Sequence, residues 1–149
     1  MAVLEALERE GVAYALFGAL ALAAHGLDRA TRDLDLFVDP SPENVARLRA
    51  ALVQVYDDDE IEQITAEDLG GDYPAIQYGP PGVDYTIDIV SRLGEAFAFD
   101  DLEIEHVTVG DTTVHVASPR TLYRMKRDTT RAKDRDDAER LRRRFDLED

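Results

Sequence analysis

The sequence has no cysteine and no tryptophan among its 149 residues. The lack of cysteine excludes a disulfide framework, a thiolate nucleophile and a Cys-based zinc site. No stretch approaches the ~20 consecutive apolar residues needed to span a membrane. The first ten residues carry acids and lack the basic-then-apolar order of a signal peptide, so a cytoplasmic protein with no membrane association is expected. Histidine occurs only at His25, His106 and His115, without zinc-like spacing. His25 is expected to close a helix and His115 to lie on the solvent face of a hairpin. No Gly-x-Ser-x-Gly elbow and no Gly-x-x-x-x-Gly-Lys loop is present, so neither a serine hydrolase nor a P-loop enzyme is supported.

Positive charge is also scarce: 17 Lys+Arg against 32 Asp+Glu give a net charge of -15. The scarcity is local. Residues 119–144 hold 11 of the basic side chains and 5 of the acidic ones, leaving 6 basic and 27 acidic in the rest of the chain. An acidic body repels nucleic-acid backbones and favours cations, whereas the basic segment is where an anion docks most easily. A basic helix that merely balances an acidic body has the same composition. The run Arg140-Leu141-Arg142-Arg143-Arg144 offers either a contact for RNA or an acidic partner, or a solvated helix face. It lacks the interleaved aromatics that stack bases.

The length predicts one domain over residues 1–149, with a core at about 11–117 and C-terminal helices at about 118–145. Val3, Leu4 and Leu7 have helical spacing, with Gly11 as a stop. Tyr14 to Phe17 reads as a strand, Gly18 as a strand-to-helix turn, and Ala19 to Ala24 as a short helix ending at His25-Gly26. Leu34 to Val38 is a second strand. Ser41 and Pro42 start a helix with Val45, Leu48, Leu52 and Val55 along one stripe. Ile61 to Gly71 is ambiguous. Ala75 to Tyr78 and the β-branched Tyr85 to Val90 read as strands. Residues 107–109 and 113–116 flank Gly110 as a hairpin. Ser118-Pro119 starts a helix, and Lys133 to Phe145 forms the last one. The order implies an α+β fold with a mixed β-sheet flanked by helices, not a strict βαβ repeat.

The sharpest feature is Asp33-Leu34-Asp35 at the head of a strand. Residues two apart on a strand point the same way, so Asp33 and Asp35 project together. Two such carboxylates repel each other unless a proton or a cation compensates. Asp88 sits within the apolar run Ile87-Asp88-Ile89, where a lone carboxylate needs a partner. A sheet that brings the two strands together gathers three acids on one face. Such an oxygen-only set suits Mg²⁺ or Mn²⁺, and a pair of these ions can hold the attacking and leaving oxygens of a phosphoryl transfer. With 32 acids in the chain an Asp-x-Asp pair also arises by chance. Placement of Asp35 and Asp88 inside apolar strands is what sets them apart.

Phe17-Gly18-Ala19-Leu20-Ala21, His25-Gly26 and Arg29-Ala30-Thr31-Arg32-Asp33-Leu34-Asp35-Leu36, followed by Ile87-Asp88-Ile89-Val90, resemble the nucleotidyltransferase superfamily with the DNA-polymerase-β-like fold. The likeness is to its small bacterial branch of minimal and AbiEii-type toxin nucleotidyltransferases. The segments around Leu122-Tyr123-Arg124-Met125-Lys126 and Lys133-Asp134-Arg135-Asp136-Asp137 look like that branch's two terminal helices. The resemblance implies metal ligation by Asp33, Asp35 and Asp88, with Asp88 also able to help deprotonate the acceptor. It implies phosphate binding at Gly18 and the Ala19 amide, and triphosphate contacts from Lys126 and Lys133. Arg29 and Arg32 would either join those contacts or brace the loop. The family turn is usually Gly-Ser or Gly-Gly; Gly18-Ala19 lacks the hydroxyl.

The expected function is transfer of a nucleoside monophosphate from a Mg²⁺-bound nucleoside triphosphate to a hydroxyl of a protein, a tRNA or a small molecule. Two Mg²⁺ ions are expected, Mn²⁺ being an alternative, and a toxin or antitoxin partner is implied. The competing expectation is a catalytically inactive module that keeps the fold and neutralises a basic toxin through its acidic surface. A metal-dependent phosphohydrolase is the third.

Overall fold

The computed structural model describes residues 2–27, 33–72, 74–93, 97–127, 129 and 131–147. Arg29 and Arg32 therefore lie outside the described residues. Helix α1 (Ala2–Arg9) buries Val3, Ala6 and Leu7, the i, i+3, i+4 stripe of a helix packed on one side. Gly11, at φ +68°, turns the chain out of it. Strand β1 (Tyr14–Leu16) is buried at all three positions. Gly18 then leads into α2 (Ala19–Ala24), which ends at His25 and the positive-φ Gly26. Strand β2 (Leu34–Val38) follows, then α3 (Pro42–Tyr56), whose first turn is capped by Ser41 Oγ accepting from the Asn44 amide.

The segment left open by its sequence becomes a 3₁₀ turn (Asp59–Gln63) and the one-turn helix α4 (Ala66–Leu69). Ile61, Ile64 and Leu69 are buried, so it is anchored to the core although most of its other side chains are acidic. Strands β3 (Ala75–Tyr78) and β4 (Ile87–Val90) come next. Strand β4 begins two residues later than expected. Tyr85 is drawn aside by a 2.7 Å hydroxyl–hydroxyl bond to Tyr56, and Thr86 is engaged by Asp33. A small hairpin of β5 (Arg92–Leu93) and β6 (Phe97–Ala98), too short to leave a periodic signal, precedes the longer β7 (Ile104–Val109) and β8 (Thr112–Ala117). Helices α5 (Pro119–Arg127) and α6 (Ala132–Phe145) close the chain.

The main sheet has six strands in the order β3-β4-β2-β1-β8-β7. Strands β2 and β4 pair in parallel, as do β1 and β8, while β1–β2, β3–β4 and β7–β8 are antiparallel. The α+β expectation with a mixed sheet and C-terminal helices holds. Leu34, Leu36, Ile87 and Ile89 point into the core at 0% exposure, and their alternates Asp35 and Asp88 face the other way. One continuous hydrophobic cluster runs from Val3 on α1 through the sheet to Leu122, Ala138 and Leu141 on the terminal helices.

Asn44 is a buried polar exception. Its Nδ2 donates to the carbonyls of Ala13 and Asp39 at 3.0 and 2.8 Å, and its Oδ1 accepts from the Ala13 amide at 2.7 Å. One amide thereby ties the start of β1 to the end of β2. Each bond satisfies a backbone group that burial would otherwise make costly.

Candidate active site

The register of the parallel pair builds the site. Asp35 on β2 stands directly opposite Asp88 on β4, and Leu34 opposite Ile87. Directly opposed residues share a face at Cβ separations of about 4.5–5.5 Å, so the two carboxyls meet. Burial is the largest cause that pushes Asp35 up to about 6, followed by the charge of Asp88, the hydrogen bond the two carboxyls share, and the charge of Asp33. Lys126 pulls in the opposite direction. Two acids this close cannot both ionise freely, so a proton or a cation must sit between them.

Asp33 is exposed and precedes the strand. Its Oδ1 accepts from both the backbone N–H and the hydroxyl of Thr86, each at 3.2 Å. It thus fastens the head of β2 to the head of β4. Among the described residues no three His, Asp or Glu side chains are arranged as a ready cation cage. Asp35 and Asp88 form the facing pair, with Asp33 beside them and one of its oxygens committed to Thr86.

Gly18 meets Asp35 from the other side. A Cβ built on Gly18 would lie 1.8 Å from Asp35 Oδ2, so the carboxylate occupies the space a side chain would need. The Phe17 amide donates to the Asp35 carbonyl at 3.3 Å, which locks the turn against β2. The amides of Ala21 and Leu22 already bond the Gly18 carbonyl. Those of Ala19 and Leu20 fall in the first turn, where a helix supplies no acceptor.

These groups share a cleft of about 510 Å³ lined by Gly18, Ala19, Asp33, Asp35, Asp88, Lys126 and Lys133, with Phe17, Leu93 and Met125 as apolar wall. Of the metal- and nucleotide-binding residues expected from the sequence, every one that is described lines this cleft. Lys133 is exposed at its rim. Lys126 is only 15% exposed and held by two carboxylates, Asp134 at 3.4 Å and the buried Asp137 at 3.5 Å. Thr129 Oγ1 donates to Asp134 Oδ2 at 3.2 Å and steadies that acid.

Asp134, Asp137, Thr86 and Thr129 carried no role in the sequence reading. Asp134 and Asp137 fall within the Lys133–Asp137 segment that carries the family likeness, and their spacing of three puts them on one helix face.

The histidines lie elsewhere. The backbone of His25 closes α2, but its Nε2 bonds the Ala117 carbonyl at 2.9 Å and its ring packs edge-on against Phe145. It therefore ties α2 to the end of β8. His115 is not on a solvent face: its side chain is 21% exposed, stacked between Tyr14 and His106, with Nε2 3.0 Å from Glu8. Burial lowers its pKa, and Glu8 works against that shift. In the basic run, Leu141 is buried, Arg142 and Arg143 bracket Glu139, and Arg144 lies over Phe145. These contacts are those of a helix face that organises its own charges.

No curated protein and no solved structure matches the chain. A family model does, over residues 3–146: that of AbiEii, the nucleotidyl transferase toxin of type IV toxin–antitoxin systems. With nearly the whole chain covered, and with its aspartates gathered in one cleft, the protein belongs to the AbiEii nucleotidyl transferase family.

Proposed function

We propose that the protein is a Mg²⁺-dependent nucleotidyltransferase, acting as one domain in the cytoplasm, which moves a nucleoside monophosphate from a nucleoside triphosphate to an acceptor hydroxyl. The observation that carries this reading is the facing pair Asp35–Asp88, in which burial and like charge push Asp35 up to about 6. A divalent cation relieves that repulsion in place of a proton, and oxygen-only ligands suit Mg²⁺ or Mn²⁺. Asp35 and Asp88 would hold it, with Asp33 adjacent. When bound, the metal supplies charge neutralisation at the phosphate oxygens.

The chain's own groups account for the remaining roles. Gly18 and Ala19 bring backbone close to the β- and γ-phosphates, since the absence of a side chain at position 18 lets Asp35 and the turn share the space. Lys133, exposed on the rim, meets the triphosphate. Lys126, held by Asp134 and Asp137, lends positive potential from the wall of the cleft. Asp88 takes the acceptor proton as the hydroxyl oxygen attacks the α-phosphorus. The bond from that phosphorus to the bridging oxygen breaks, and pyrophosphate leaves. Family membership supports an antitoxin partner.

Incubation with Mg²⁺ and each α-labelled nucleoside triphosphate, with and without host lysate, tests this against the Asp33→Ala/Asp35→Ala variant. Label reaching an acceptor only with intact aspartates is expected. Ala19, standing where a serine or a glycine is usual, favours the inactive module as the second reading. Absence of both transfer and Mg²⁺-dependent nucleotide binding would establish that module instead.

A further inference from the structure

We infer that Arg131 is a substrate-binding residue, which gives up the carboxylate of Asp134 and takes the phosphates of the nucleoside triphosphate. The inference rests on the proposed transferase reading for its ligand and deepens it with a further phosphate contact. Arg131 lines the same cleft as Asp35, Asp88, Lys126 and Lys133.

Arg131 occupies the N-cap position of α6. That position usually holds Ser, Thr, Asp or Asn, whose side-chain oxygen accepts from an amide of the first turn. A guanidinium has only donors, and no side-chain bond caps this helix. Arg131 and Lys133 also put positive charge at the positive end of the helix dipole, where acids are the stabilising choice. Asp134 is the acid of that first turn. The start of α6 thus departs from what helix stability favours, at the point where its residues line the cleft. An anion in the cleft relieves that excess of positive charge.

Contacts distinguish Arg131 from Lys126. The Lys126 side chain is 15% exposed and lies between Asp134 and Asp137. The Arg131 side chain is 71% exposed, and its Nε stands 3.8 Å from Asp134 Oδ2. An exposed pair that long adds little stability and is easily exchanged. Asp134 does not depend on it. Lys126 meets its Oδ1 at 3.4 Å, and Thr129 Oγ1 donates to its Oδ2 at 3.2 Å. Arg131 therefore leaves without stranding a carboxylate. Its planar fork of N–H donors matches two phosphate oxygens at once, a stronger and more directional contact than the one it gives up.

The test uses the full chain as wild type, Arg131→Ala, Arg131→Gln and, as a control for the loss of one positive charge, Arg135→Ala. Arg135 is exposed on the same helix and does not line the cleft. The probes are α,β-methylene nucleoside triphosphates, which cannot be transferred, and inorganic tripolyphosphate, each titrated with Mg²⁺ by calorimetry. Expected is a tenfold or greater rise in Kd for both Arg131 variants, similar for the two probes, with melting temperatures within two degrees of wild type. Arg135→Ala should stay within twofold. Wild-type affinity in either Arg131 variant, an equal loss in Arg135→Ala, or a loss matched by a fall of more than five degrees in both Arg131 variants overturns the inference and leaves the transferase reading standing. Weakened binding in the Arg131 variants, with no label transferred by wild type, upholds the phosphate contact and removes the transferase reading. Wild-type protein that binds neither probe overturns both.

Discussion

The molecule places carboxylates out of solvent in two places, and treats them in opposite ways. At the centre of the sheet, Asp35 faces Asp88, acid against acid. On the terminal helices, Asp134 and Asp137 close around Lys126. The second arrangement is built around a cation, one ammonium between two carboxylates, with a threonine hydroxyl in support. The first is not, and its imbalance appears as the raised pKa of Asp35. Structural ion pairs satisfy themselves; functional charge clusters await something from outside. The contrast explains why Lys126 and Lys133, which sequence spacing treats alike, differ: one is anchored at the cleft wall and the other is exposed at its rim.

The largest effect is expected from Asp35→Asn. Nucleotidyl transfer should fall by a factor on the order of 10² or more, as for loss of a group that stabilises transition-state charge. The metal-free protein should at the same time melt a few degrees higher at pH 8, about what ~1 kcal/mol produces at this size. Simultaneous loss of function and gain of stability is the signature of a like-charge pair; a lower melting temperature would mean that Asp35 supports the fold instead.

Gly18→Ala comes next. Its Cβ would overlap Asp35 Oδ2, so the carboxylate must move, and transfer should drop by ~10²-fold, as for a misplacement near 1 Å. A variant that keeps full activity would show that Asp35 is free to shift.

Asp137→Ala tests the other side of the comparison. Removing one partner of a buried ion pair is expected to cost about 3 kcal/mol, read by urea denaturation. Asp137→Ala combined with Lys126→Met should recover part of that loss. No recovery would mean that Asp137 acts through other contacts.

The smallest effect is the pH dependence of the metal-free protein. The folded pKa of Asp35 is raised from 3.8 to about 6, so the fold binds a proton more tightly than the unfolded chain. Its contribution is fully present below pH 3.8, declines as pH rises through about 6, and is flat above. The difference in melting temperature between wild type and Asp35→Asn should widen over that interval. Saturating Mg²⁺ should narrow it.

Much of the site was legible because strands alternate. Asp33-Leu34-Asp35 and Ile87-Asp88-Ile89 state in their pattern which residues leave the core, and Gly18 announces a turn. What the pattern does not contain is register. That Asp88 pairs with Asp35 and Gln77 with Asp88 depends on a parallel crossover through α3 and on an antiparallel return, both set by tertiary packing. His115 was misplaced for a similar reason. Hairpin alternation gives two faces, but which one is covered depends on α1, whose Glu8 reaches it. The acids of α6 were hidden by abundance: among so many charged residues, helical spacing alone does not separate Asp137, 3% exposed, from its exposed neighbour Asp136.

The wall of the cleft extends in sequence from Phe17 to Asp134. A chain emerging from the ribosome therefore has its aspartate row long before it has Lys126 and Lys133. A product truncated before α5 carries Asp33, Asp35 and Asp88 of the cleft without Lys126 and Lys133.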